Sequence, residues 1–255
     1  LRAPSAWGAV RDALAAVFNL ETLLKNAGVP DKTILDVLPE IHSSAALLRG
    51  AFEARTMADK AIADAATHGR ARLNDLDAVL AAIAAGDTDR AGLIARLGAA
   101  ADQLEASSEL LALLERAGKP SVTEVGLDLV AREAGRLSTA SRRGGVLRVR
   151  FDEASPDPLV TADPYVLGSL LSLVVACVHH AGVESIVVRA QPAPTAGFVV
   201  EGAGDADGAL PTLAMRVMPW IPPTEGAACA IGERFGATVE LHGARATIRL
   251  KRLYG

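Results

Sequence analysis

"VTADPYVLGSLLSLVVACVHHAG", Val160–Gly182, decides how the second half of this chain is read. It runs from the end of a strand through Asp163-Pro164 into a helix expected from about Pro164 to His180. Its apolar run, "LGSLLSLVVACV", is too dense for a surface helix and falls short of the roughly 20 residues that a bilayer crossing requires. It therefore reads as a helix buried inside a folded domain.

Around that stretch the texture is of helices interleaved with short alternating strands. Upstream lie "TEVGLDLVAREAGRL", read as a helix, "VLRVRF", read as a strand with period-two alternation, and a proline-rich loop, "DEASPDPLV". Downstream come strands "SIVVRA" and "FVVEG", a loop, a helix near "AACAIGERF", and a closing strand pair, "ATVELHG" and "ARATIRLKRL". Antiparallel strands mixed with helices predict an α+β sandwich, one sheet covered by helices.

The first 118 residues are different, being rich in Ala and Leu at three- and four-residue spacing. One helix is expected from about Ser5 to Lys25 and ends in "NAGVPD". A second starts near Asp31 and could continue to Ala85, interrupted at most by Pro39, Gly50 and Gly69, a length that suggests a stalk or coiled coil. After "AAGDTDRAG", with Asp87 or Thr88 as N-cap, a third helix reaches about Arg116 and makes a hairpin with its predecessor. The fold class is thus multidomain: an all-α stalk over residues 1–59, a helical hairpin over 60–118, and an α+β sandwich over 119–255.

Charge and composition narrow the function classes. With 26 basic and 30 acidic residues well mixed, a net charge of −4 offers no electrostatic grip on nucleic acid or an anionic membrane. Only 4% of residues are aromatic, so the core must be Ala, Leu, Val and Ile. No charged-then-apolar leader opens the chain. Cys177 and Cys229, lacking C-x-x-C spacing, read as buried small apolar residues of a cytoplasmic protein.

The order of hairpin and sandwich resembles that of histidine kinases, in which a dimerising helical hairpin precedes an ATP-binding domain of the gyrase, Hsp90, histidine kinase and MutL superfamily. The resemblance covers roughly residues 60–252. Asp163, Pro164 and Leu167 sit where the family pattern puts them, and "LHGARATIRLKRL" and "VGLDLVAREAG" are similar to the family's closing hairpin and post-hairpin helix. What the resemblance implies is a homodimeric signalling protein of two-component type with a magnesium-ATP pocket and a phospho-acceptor histidine.

The residues that should carry that chemistry are missing. In the family an asparagine on the buried helix holds magnesium, a task for a hard oxygen ligand; here Cys177 takes that place, with Leu173 one turn earlier. The adenine-binding aspartate is replaced by Glu201 in "VVEGAGDADG", where Gly202, Gly204 and Gly208 are scattered. Of the phosphate-covering glycines only Gly226 stands in "EGAACAIGERFG", and a loop bearing Cβ atoms keeps backbone amides from phosphates.

On the hairpin, "NDLDAVLAAI" fits the acceptor pattern with Asp75, Leu76, Leu80 and Ile83 in place, but Asn74 stands where the histidine belongs. An amide has no nucleophilic nitrogen. His68 in a shifted register, or His42 on the stalk, is the fallback acceptor, and each also reads as an ordinary helix histidine.

Three further features have bland readings beside functional ones. His179-His180 is a solvated helix end or half of a metal site. "DADG" (Asp205–Gly208) is a plain turn or the start of a calcium loop without its later Glu. "MRVMPWIPP" (Met215–Pro223) is a loop packed over the empty pocket or a partner-docking patch.

The expectation is a cytoplasmic pseudokinase that needs no cofactor or metal, magnesium-ATP entering only if the pocket works. It would form a homodimeric four-helix bundle and bind a partner, such as a receiver domain, at Asn74, Asp77, Ala78 and Ala81. The rivals are a divergent histidine kinase or phosphotransferase using His68 or His42, and a structural scaffold stalk.

Overall fold

A computed structural model describes residues 6–26, 28–137, 145–154, 156–192 and 194–251. The chain divides into two compact units, residues 1–112 and 113–255.

The first unit holds α1 (Ala6–Lys25), α2 (Asp31–Glu53), α3 (Lys60–Ala84) and most of α4 (Arg90–Ala117). Apolar residues at three- and four-residue spacing form the seams. On α1 these include Ala13, Val17, Leu20 and Leu24, and on α2 Ile34, Leu38, Ile41, Ala45, Leu48 and Phe52, all buried. Helix α1 packs on α2, and α2 packs on α3.

The single long helix expected from Asp31 to Ala85 is not formed. The chain turns over residues 54–59, and Asp59 restarts the helix by accepting the Ile62 N–H at 3.4 Å. Pro39, Gly50 and Gly69, the suspected interruptions, all lie inside helices. Gly69 has another use: a Cβ there would stand 2.5 Å from the Phe52 ring, so its absence lets α3 approach α2. Folding back lets α2 and α3 bury their apolar stripes against each other within one chain.

At the start of α4 the side-chain cap comes from Asp89, which accepts the Gly92 N–H at 2.9 Å, rather than from Asp87 or Thr88. Asp87 instead accepts the Asp89 N–H, which shapes the turn before it.

In the second unit, β1 (Thr123–Gly126) runs into α5 (Leu127–Leu137), and β2 (Gly145–Asp152) is followed by β3 (Leu159–Ala162) and α6 (Pro164–His180). Next come β4 (Ile186–Gln191), β5 (Gly197–Gly202), a 3-10 turn (Asp205–Ala209), β6 (Thr212–Val217), α7 (Thr224–Phe235), β7 (Ala237–His242) and β8 (Arg245–Leu250). Six strands form one mixed sheet, β6-β2-β4-β5-β8-β7, in which only β2 and β4 are parallel. Strands β1 and β3 pair separately as an antiparallel ribbon.

The architecture is α+β, as expected. Two elements depart from expectation: "TEVG" is a strand rather than the first turn of α5, and "TLAMRV" is the edge strand β6 rather than loop. Each depends on a partner distant in sequence, β1 on β3 and β6 on β2.

Register sorts the sheet residues by face. Phe151, Val188, Val200 and Ala246 stand side by side on one face with Phe198 and Ile248, all buried. Val239 is paired with Ile248 and lies against Gly232 of α7, so this face carries the helices. The other face carries Arg148, Arg150, Asp152, Arg189, Glu201, Glu240, Arg245 and Arg249. Among the described residues no helix is long and apolar enough to cross a membrane.

Candidate functional site

Asp163 starts α6. Its carboxylate is wholly buried and accepts the N–H groups of Tyr165 at 3.0 Å and Val166 at 3.2 Å, while Pro164 fills the first helical position, where no N–H is needed. The same carboxylate accepts Ser121 N–H at 2.9 Å and the Arg116 guanidinium at 3.1 and 3.3 Å, and Arg116 lies over the Tyr165 ring. Burial alone would raise its pKa, but Arg116 and the backbone donors outweigh that and hold it below the ordinary value. Asp163-Pro164 thus fixes the last turn of α4 and the start of α6 together.

Every residue of α6 from Val166 to Val178 is buried. Leu173 and Cys177, to which the resemblance assigns the place of a metal-binding amide, belong to that core, whereas Cys229 on α7 is exposed rather than buried. Burial first, then the negative charge of Glu225, pushes the Cys177 thiol up to about 12. A neutral buried thiol gives a hard cation no oxygen and no charge.

Glu201 stands on the sheet face opposite the helices. It accepts Arg189 Nε and faces Arg245 Nε, each at 3.3 Å. Arg189 also binds Asp152 and Asp207, each at 2.7 Å, and these carboxylates, Asp207 first, hold the guanidinium firmly charged. The structure therefore does not bring Glu201 and Cys177 together: one belongs to the polar sheet face, the other to the core under the opposite face.

The glycines are placed as follows. Gly204 donates its N–H to Asp207 at 2.8 Å, and Arg150 holds the carbonyls of Asp207 and Gly208 at 2.9 and 2.7 Å. "DADG" is thereby a 3-10 turn whose buried Asp207 carboxylate is occupied by Arg189 and Gly204. Gly226 sits in the first turn of α7, where a Cβ would meet nothing within 4 Å, so no close approach of backbone requires a glycine.

Within "MRVMPWIPP", Met215 and Val217 belong to β6 and are buried, Ile221 is buried, and the Trp220 ring stacks on His180 at 4.0 Å. His179 pairs instead with the Val183 carbonyl at 3.1 Å. The two histidines finish α6 in different directions, as adjacent helix residues must.

On α3, Asn74, Ala78 and Ala81 are exposed and follow one another at helical spacing. Asp77 is half-buried and bound to Arg49 of α2 at 2.5 Å. The opposite stripe, Leu73, Leu76, Val79, Leu80 and Ile83, is buried within the chain. His68 is half-buried, and its Nε2 is enclosed without a hydrogen-bond partner. Burial, then Arg72, lowers its pKa, which Gln103 and Asp75 only partly oppose. His42 on α2 is exposed.

Sequence reasoning missed Arg189 and Arg116, the hubs of the two ion-pair systems. A signal for Arg189 was present, since "RVRFD" alternates charged with apolar residues and "VVRAQ" sets Arg189 two places from Gln191, so that each strand keeps its polar side chains on one sheet face. No known protein family matches this chain, and no curated protein is significantly similar to it.

Proposed function

We propose that this chain is a pseudokinase-like signalling module, built like a histidine kinase but working by contact rather than phosphoryl transfer. The observation that carries the reading is the joint fate of the positions that should do chemistry. Asn74 is exposed at the acceptor place without a nucleophile, Cys177 is core, and Glu201 is engaged by two arginines on the far side of the sheet. Further support comes from the order of elements: a hairpin, a two-stranded ribbon, then a mixed sheet with a buried helix begun by Asp-Pro.

The contact face of this reading is Asn74, Asp77, Ala78 and Ala81, and its partner a receiver domain. Pull-down of a receiver should weaken on charge reversal, Asp77→Lys, and no change would count against that partner. A homodimer belongs to the same reading. Since the apolar stripe of α3 is already buried in one chain, a dimer has to use other surface. A strict monomer by light scattering at tens of micromolar removes the dimer from the proposal.

Calorimetric titration with magnesium-ATP tests the reading as a whole. No heat at millimolar nucleotide is expected; micromolar binding overturns it. The enzyme rival needs His68 or His42. His68 Nε2 is buried away from any incoming phosphoryl group, which leaves exposed His42 as the freer nucleophile. Acid-labile phosphate on either histidine after incubation with a phosphorylated receiver would restore the enzyme reading.

A further inference from the structure

An open sheet ends in two strands whose outer backbone groups lack a neighbouring strand, and the two ends of this sheet are finished differently. At one end is β7. Lys251 donates to the Gly236 carbonyl, and the hydrogen-bonded pairs of β7 and β8 alternate from there, so Val239, opposite Ile248, turns its backbone outward. The Cys229 thiol of α7 covers that edge, 3.9 Å from the Val239 carbonyl.

At the other end is β6. Phe151 donates to the Pro211 carbonyl, and the same alternation along β2 turns the N–H and C=O groups of Thr212 and Ala214 outward. Among the described residues nothing hydrogen-bonds to these outward groups. The usual guards of an edge are missing too: β6 contains no Pro and no Lys, and it matches β2 one residue for one without a bulge.

The strand is complementary to itself. Antiparallel pairing about a two-fold axis at Ala214 sets Ala214 against its own copy, and the two exchange both main-chain hydrogen bonds. Thr212 then stands opposite Arg216 of the partner subunit, a hydroxyl against a guanidinium, with no like charges facing. On the helix-bearing face Leu213 stands opposite Met215 of the partner subunit. Met215 and Val217 are already buried within the chain, whereas Leu213 is only half-buried, so pairing completes its cover. An axis at Arg216 instead would oppose two guanidiniums and leave most of the strand unpaired. One register therefore satisfies backbone, charge and apolar surface together, and β6 itself supplies every residue it needs.

We propose that two copies of this chain join through β6, extending the sheet of one into the sheet of the other. This interface rests on the homodimer of the preceding section, for which it supplies a surface that the buried stripe of α3 cannot, and not on the loss of catalysis.

The test is sedimentation velocity of the full chain at tens of micromolar, where wild type should be dimeric. Ala214→Lys and Ala214→Glu each place like charges across the axis and should weaken the dimer about tenfold. An equimolar mixture of the two variants places opposite charges there and should recover wild-type affinity or better, which a folding defect could not do. Ala214→Pro removes an outward N–H that β2 does not use, and should weaken the dimer to a similar extent with circular dichroism unchanged. Thr238→Lys, on the β7 edge, should leave it intact. A dimer that persists in all three Ala214 variants, a mixture no tighter than its components, or a dimer lost in Thr238→Lys overturns the β6 interface and leaves the homodimer standing on another surface. A monomeric wild type removes both.

Discussion

Helices α3 and α6 are the two elements from which the histidine-kinase resemblance asks chemistry, and they are buried differently. In α3, 9 of 25 residues are buried, all on one stripe, and Asn74, Ala78 and Ala81 face outward. In α6, 13 of 17 residues are buried, on every side. A helix with one free face can change its contacts without changing the fold, whereas one enclosed all round can change only at the expense of the core. The contact function proposed above falls on the helix with the free face, and substitutions in α6 are expected to act first on stability.

The largest effect that sharpens this contrast is in α6. Leu170 is completely buried. Leu170→Ala should cost about 3 kcal/mol, as buried large-to-small changes do, visible as a lower urea midpoint at unchanged slope. A loss under 1 kcal/mol would mean that α6 is less enclosed than described.

Somewhat smaller is Asp163→Asn, which removes the charge partnered with Arg116 while keeping an oxygen for the cap. A cost of about 2 kcal/mol is expected, below the range for fully buried pairs because Arg116 is partly solvated. Its pH dependence has a definite sign. The folded-state pKa is lowered, so the stabilisation is complete above the ordinary carboxylate value and disappears as pH falls through the lowered one. The stability gap between wild type and variant should stay constant from pH 7 to 5 and close only in stronger acid.

In α3 the buried stripe can be probed at Gly69. Gly69→Ala gains about 1 kcal/mol in helix propensity, yet its Cβ meets the Phe52 ring. Overpacking costs about 1 to 3 kcal/mol, so a net loss of roughly 1 kcal/mol is expected by thermal melting. A stabilised Gly69→Ala would show that α2 and α3 separate easily.

A modest effect of opposite sign comes from Asp128 in the first turn of α5. Burial first, then Asp157 and Glu153, raises its pKa against the Ala154 N–H and Arg132. A carboxyl raised in the fold loses stability as pH rises through that value, so Asp128→Asn should be slightly more stable than wild type near neutrality and equal to it in acid.

The smallest effect is at the outer face of α3. Asn74→Ala should leave stability within about 0.5 kcal/mol, as at most exposed sites. Asn74→His should still take no phosphate from ATP, and incorporation of label there would break the contrast between the two helices.

Much of this was legible without coordinates. α6 was readable to the residue because an Asp-Pro start and an unbroken apolar run leave one solution. Strands β2, β4, β5, β7 and β8 followed from alternation and turn residues. The break over residues 54–59 escaped because no Gly or Pro marks it, while the Gly and Pro that suggested breaks stand inside helices. Of the candidate site, the identities of the side chains were legible, but the separation of Glu201 from Cys177 was not: period-two alternation says that Glu201 faces one side, never which side the helices cover.

Local sequence by itself determined which residues can be helix, strand or nucleophile, since caps, periodicity and side-chain chemistry act over a few residues. Only the tertiary structure decided that the stalk folds back over Gly69 and that "TEVG" and "TLAMRV" are strands. It also decided that Arg189 occupies Asp152, Glu201 and Asp207. Each depends on partners far apart in the chain, whose meeting is set by burial and register rather than by local preference.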